Sequence, residues 1–140
     1  MGRELEVSVL GTPPHHRVSD VGEIIPDGAF YSYDAKYASE SQTKTLVDIQ
    51  LDATTREKIR TVAGKIYEIL GSAGLARVDF LLSNEGEVYF NELNTLPGFT
   101  NISMYPKLWE AQGISARDLV GQLLDDAMSR DTMKAQKAEA

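Results

Sequence analysis

ARVDFLLSNEGEVYFNELNTLPGFTNISMY, residues 76–105, reads as a β-hairpin that carries acidic side chains on one face and then runs into a Gly/Pro loop. Ala76–Leu82 and Glu87–Leu93 are rich in aliphatic, aromatic and β-branched residues, and Asn84-Glu85-Gly86 between them is a turn signal. Side chains alternate faces with period two, so Arg77, Asp79 and Leu81 share one face of the first strand, while Val88, Phe90, Glu92 and Asn94 share one face of the second. A tight turn brings the two sets to the same side. With Glu85-Gly86 as a two-residue loop, Asp79 stands opposite Glu92, at a cross-strand side-chain spacing of roughly 5 Å. Like charges that close repel, and a divalent cation is the natural compensation. Two carboxylates and an amide, from Asp79, Glu92 and Asn94, are hard oxygen donors of the kind that suit Mg²⁺. The plainer reading is a row of solvent-facing charges on a half-exposed antiparallel sheet, with Arg77 neutralising one of them.

The loop that follows, Asn94-Thr95-Leu96-Pro97-Gly98-Phe99-Thr100, interrupts an apolar context with residues that leave backbone N–H groups open, as a site for an oxyanion or carboxylate needs. Pro and Gly serve an ordinary strand-to-helix connection equally well.

A length of 140 residues suits one domain with a modest core, and 42% hydrophobic with 25% charged residues is ordinary globular composition. The net charge of −7 argues against a nucleic-acid surface, since no Lys/Arg stripe offsets it. A nucleotide still fits, because metal and a few placed cations serve its phosphates. The chain has no cysteine, which excludes disulfides, thiolate chemistry and zinc-thiolate sites. No apolar run approaches the roughly 20 residues that span a bilayer, and no signal-peptide core follows Met1, so the expectation is a cytoplasmic protein with no membrane partner.

In chain order, Glu4–Leu10 alternates acidic and apolar positions and reads as a strand. Gly11–Asp20, with two prolines and two histidines, reads as a loop whose histidines are solvated rather than metal ligands. Val21–Ile25 is a short strand, and Phe30–Tyr37 gathers half of the six tyrosines around Lys36 before the polar, Ser-rich stretch Ala38–Thr45. Val47–Leu51 reads as a brief extended segment. Thr54–Leu70 is the clearest helix: Thr54-x-x-Glu57 is a capping box, and Ile59, Val62, Ala63, Ile66, Ile69 and Leu70 form one apolar stripe ended at Gly71 or Gly74. A short helix falls within Ser103–Gln112 with Trp109 as its anchor, and another spans Ser115–Ser129 with Leu119, Val120, Leu123, Leu124, Ala127 and Met128 on one face. Residues 131–140 read as a frayed polar tail behind a folded unit of residues 1–130.

Four separate stretches carry a resemblance: GREL at Gly2–Leu5, FYSYDAKY at Phe30–Tyr37, ARVDF at Ala76–Phe80 and NELNTLPGFTNISMYPKLW at Asn91–Trp109. In this order they resemble the C-terminal half of the D-alanine-D-alanine ligases of the ATP-grasp fold, over nearly the whole chain. The resemblance implies an α+β architecture, the C-terminal ATP-grasp portion, with a mainly antiparallel sheet and packed helices.

The resemblance also assigns roles. Asp79, Glu92 and Asn94 match Mg²⁺ ligands that bridge two ions, with Mn²⁺ able to replace them, to the phosphates of ATP. Arg77 and the backbone N–H of Gly98 match groups that stabilise charge as an acyl phosphate forms and is attacked. Ser103 and Met104, with Gly98, match the segment that holds the second D-alanine. Lys36 and Tyr37 match a closing loop, Phe30 an adenine-side aromatic, and Glu4 the carboxylate that bonds ribose hydroxyls. The implied reaction joins two D-alanines at the expense of ATP for peptidoglycan, in a parent that is a homodimer. Ser32 stands where an acidic residue is common.

The family's N-terminal domain and the first part of its central domain find no match here. The expectation is therefore a ligase-derived fragment that is inactive alone. The alternatives are a non-catalytic nucleotide- or metal-binding module, a self-associating fragment with exposed apolar surface and a free strand edge, or a ligase that takes D-serine or D-lactate second.

Overall fold

The computed structural model of the chain describes residues 2–26 and 44–138, with side chains as far as Thr132. Its elements are β1 (Arg3–Leu10), β2 (Arg17–Ile25), β3 (Lys44–Leu46), α1 (Ala53–Ile69), β4 (Leu75–Leu82), β5 (Val88–Asn94), α2 (Met104–Ala111) and α3 (Ala116–Ala138). The strands form one antiparallel sheet in the order β3-β2-β1-β4-β5. The expected α+β class, a mainly antiparallel sheet with packed helices, is therefore correct.

Period-two alternation divides the sheet cleanly. Leu5, Val7 and Val9 of β1 stand beside Phe80, Val78 and Ala76 of β4, and with Val21 they make one buried face against Ile59, Ala63 and Tyr67 of α1. Burial of this face is the main source of stability. On the opposite face Leu10 joins Tyr105, Trp109 and Leu119, so α2 and α3 cover one end of the sheet and leave the rest of that face to Glu4, Glu6, Arg77 and Asp79.

The loop expected over Gly11–Asp20 is shorter, because β2 already begins at Arg17. The reason is a bulge. Val7 pairs with Val21 but Val9 with Val18, so both valines of β2 reach the core although they are not an even number of residues apart. The extra residue leaves the Ser8 N–H without a ladder carbonyl, and it donates to the buried Ser19 Oγ at 2.8 Å instead.

The helices also depart from expectation at their ends. α1 is capped by Asp52, whose Oδ1 accepts from the Thr55 N–H at 2.9 Å, not by Thr54. Its buried line is Ile59, Ala63 and Tyr67, flanked by Val62 and Ile66, while Ile69 and Leu70 turn into solvent. Gly71, at φ 63°, provides the left-handed turn that ends the helix. The brief extended segment expected over Val47–Leu51 lies earlier, as β3, and Ile49 tucks its side chain into the core from an irregular stretch. Trp109 is the anchor of α2 as expected. α3 runs well past Ser129 to Ala138, and Val120, Leu124 and Met128 on it are exposed.

Candidate active site

The hairpin of β4 and β5 holds the expected pair, Asp79 opposite Glu92, but reaches it by a different route. The turn occupies Asn84, Glu85 and Gly86, closed by the Ser83 N–H on the Glu87 carbonyl at 2.9 Å, with Gly86 at φ 85°. That turn aligns Leu82 with Val88 and Phe80 with Phe90. A register shift between Phe80 and Asp79 then inserts Asn91 and brings Glu92 level with Asp79. The shared face expected for Val88, Phe90, Glu92 and Asn94 is therefore wrong. Val88 packs on the α1 core and Phe90 stacks edge-on to Phe80 at 6.2 Å, whereas Glu92 and Asn94 align with Asp79 and Arg77 on the other side.

Because β1 lies on the far side of β4, the row extends. Glu6 of β1 pairs with Asp79, so Glu6, Asp79 and Glu92 cross three strands in line, and Ser8, Arg77 and Asn94 form the next row. Arg77 ties the acids together. Its Nε and Nη2 donate to the two oxygens of Asp79 at 2.8 Å each, Nε lies 3.2 Å from Glu6 Oε1, and Nη2 lies 4.0 Å from Glu92 Oε1. Glu6 and Asp79 are 4% and 2% exposed, but the Glu92 side chain is 59% exposed. The cluster is thus buried on the β1 side and open on the β5 side.

No sequence signal marks Glu6, because Glu4-x-Glu6-x-Ser8 looks like any polar strand face. Only the pairing of β1 with β4 sets it beside Asp79. Burial pushes its carboxyl up to about 7, against the pull of Arg77 and with the help of Asp79, Glu4 and Glu92. Its Oε2 is buried without a hydrogen-bond partner among the described residues. Arg77 is held above the usual guanidinium range, chiefly by its hydrogen bonds to Asp79.

The end of the row is closed from β2. Gly22 stands beside Glu6, and a Cβ there would lie 2.5 Å from the Met104 Sδ, so the missing side chain is what lets α2 settle over the sheet. Met104 is accordingly buried in the fold, and only its backbone is left to meet a ligand. Ser103, expected beside it, accepts the Thr100 N–H through Oγ at 3.1 Å, and a Cβ on Gly98 would meet that Oγ at 2.8 Å. Gly98 and Ser103 therefore form one compact turn. Asn94 Oδ1 accepts the Leu96 N–H at 3.0 Å, which fixes the start of the same loop.

Glu4 lies on the acid face one alternation beyond Glu6, on the wall of a cleft of about 640 Å³ that Ile24, Leu81 and Tyr89 also line. This partly apolar cleft had no signal in the sequence, because its walls come from four strands and strand ends. Phe30, Lys36 and Tyr37 lie outside the described residues. Among the described residues no three Asp, Glu or His side chains already converge as a metal cage. The donors Asp79, Glu92 and Asn94 are nevertheless carboxylate and amide oxygens on adjacent strands, and the Glu6 carboxyl, whose Oε2 has no partner among the described residues, stands beside Asp79. That chemistry fits a hard divalent cation.

Residues 1–125 match the family described as D-ala D-ala ligase C-terminus. The D-alanine–D-alanine ligase A of Salmonella typhimurium is 47% identical over 131 residues, which is 94% of this chain and 36% of that protein. Among solved structures, the D-alanine-D-alanine ligase of Coxiella burnetii aligns at a TM-score of 0.84 and 35% identity, over 99% of this chain and 35% of that one. A Bacillus anthracis D-alanine–D-alanine ligase complexed with ATP aligns at 0.72 and 28% identity, over all of this chain and 42% of that one. The chain thus spans about a third of the curated relative's length.

Proposed function

The chain belongs to the D-ala D-ala ligase C-terminus family, and from that premise we propose that it forms the phosphate- and second-substrate side of an ATP-driven ligase that joins two D-alanines. The observation that carries the reading is the Glu6–Asp79–Glu92 row with Arg77 across it.

In the proposed reaction the carboxylate of one D-alanine takes the terminal phosphoryl group of ATP, giving an acyl phosphate and ADP. The amine of the second D-alanine then attacks the acyl carbon, and phosphate leaves with the bonding electrons and takes up the amine proton as the amide forms. Mg²⁺, when bound, supplies charge neutralisation and orientation for the phosphates. Asp79, Glu92 and Asn94 would hold it. Both Asp79 oxygens already accept from Arg77, but each carboxylate oxygen retains a second acceptor site.

The protein's own groups have distinct tasks. Arg77 contributes a fixed positive charge, and among the described residues its two hydrogen bonds to Asp79 use Nε and Nη2, which leaves Nη1 to meet the oxygens on which charge develops. The backbone N–H of Gly98, in the turn braced by Ser103, is the second donor for that charge. The Ser103 N–H already donates to the Thr100 carbonyl at 2.9 Å, so in this proposal the carboxylate of the second D-alanine meets the Met104 N–H in the first turn of α2, beside Ser103. Glu4 bonds the ribose hydroxyls at the wall of the 640 Å³ cleft, where Ile24 and Leu81 offer an apolar surface to the base. Phe30, Lys36 and Tyr37 complete the nucleotide side in this proposal.

On this reading the 140-residue chain by itself releases little or no phosphate, because its match covers only 36% of the Salmonella typhimurium relative's length. The test is phosphate release by the intact ligase that includes this chain. Release that requires both ATP and D-alanine and disappears in Asp79→Asn/Glu92→Gln supports the proposal. Release that persists in the double variant refutes it.

A further inference from the structure

Arg77 is held from two sides, and only one of them is expected from its own strand. Asp79 lies two residues away on β4, and its carboxylate is the one proposed to share its oxygens with a cation. Glu6 comes from β1, is 4% exposed, and has Arg77 as its ion-pair partner at 3.2 Å. Among the described residues its other oxygen has no hydrogen-bond partner. A buried carboxylate with one oxygen unsatisfied weakens a fold, so stability does not account for Glu6.

Its position accounts for it better. Glu6 sits in the middle of a strand paired on both sides, between Asp79 on β4 and Gly22 on β2, with Met104 over Gly22. A carboxylate so confined has few rotamers, and it fixes whatever it binds. We propose that Glu6 is a positioning residue: it clamps the Arg77 guanidinium from the neighbouring strand and keeps Nη1 directed at the transferring phosphoryl group while Asp79 is engaged by the cation. The inference rests on the ligase reading and goes beyond it, since Glu6 itself touches neither substrate nor phosphate. The clamp explains how one arginine stays oriented when the partner on its own strand has a second task.

The test uses Glu6→Gln, which keeps the volume and removes the charge. In the intact ligase kcat falls roughly 10- to 100-fold, the cost typical of a displaced catalytic group, while KM for ATP stays within about twofold. In an Arg77→Ala background Glu6→Gln has no further effect on kcat, because it acts through the arginine. Unchanged kcat in Glu6→Gln, beside a large loss in Arg77→Ala, overturns the clamp but leaves the ligase reading standing. Multiplicative effects also overturn it, because they make Glu6 independent of Arg77. If Arg77→Ala leaves kcat unchanged, the site reading and the clamp fall together. A second readout needs no activity: in the 140-residue chain carrying Asp79→Ala, which removes the acceptor of the Arg77 Nε–H, that N–H gives an NMR signal protected from solvent exchange by Glu6, and adding Glu6→Gln shortens its lifetime. Equal protection in both proteins overturns the clamp.

Discussion

Arg77 and Asp79, two residues apart on one strand, form a two-point ion pair, with Nε and Nη2 donating to the two carboxylate oxygens at 2.8 Å each. The pair is nearly buried and lies between Glu6 and Glu92, so its charges depend on each other rather than on water. Asp79→Asn keeps the shape but turns an amide N–H₂ toward a guanidinium donor. Removing one partner of a buried pair costs ~3–5 kcal/mol, and because Glu6 remains to pair with Arg77 the loss here is about 2 kcal/mol. Urea unfolding at neutral pH measures it, and a variant as stable as the parent contradicts the pairing.

The raised Glu6 carboxyl gives a definite pH signature. Unfolding returns it from about 7 to an ordinary value near 4.5. Between those values the folded chain holds a proton that the unfolded chain releases, so stability falls as pH rises through this window and levels off above it. The whole effect is roughly 3 kcal/mol at most. Glu6→Gln has no such proton, so its stability changes less over the same range without added divalent cation. Parallel profiles for the two proteins would remove Glu6 from the buried cluster.

Gly98 and Ser103 are coupled by space. A methyl group on Gly98 meets Ser103 Oγ at 2.8 Å, closer than a carbon and an oxygen tolerate. Gly98→Ala therefore strains the turn that Ser103 braces, at a cost of about 1–3 kcal/mol, and Ser103→Ala in the same chain relieves part of it. Thermal melts of the four proteins in the cycle read the coupling. Additive effects would deny it.

The bulge in β2 makes its own prediction. Ser19 Oγ is the acceptor for the buried Ser8 N–H, so Ser19→Ala leaves that donor unpaired and destabilises by about 1–3 kcal/mol. Hydrogen exchange at Ser8 speeds up in the variant. An unchanged rate means that another acceptor serves this amide.

The sheet and helices were legible where side chains keep a single period: β1 alternates throughout, and Trp109 marks α2. The bulges were not, because an inserted residue breaks the period that sequence reading relies on. One hid the first half of β2, where Val18 and Val21 both face the core. The other made Phe90 look like a neighbour of Glu92, although the two point to opposite faces. The pairing of Asp79 with Glu92 was anticipated from a two-residue loop, and it holds only because a longer turn and a bulge offset one another. At the site, Asp79, Arg77 and Glu92 could be placed together from the hairpin alone. Glu6 could not, since its place beside Asp79 depends on a strand pairing that spans most of the chain.

The decisive property of this acid row is whether it binds a cation and phosphates. Isothermal calorimetry of the 140-residue chain, with Mg²⁺ titrated in the presence of ATP, tests it against the Asp79→Asn/Glu92→Gln variant. The parent chain gives a binding heat that vanishes in the folded double variant. The same heat in both proteins places the cation and phosphates away from the acid row.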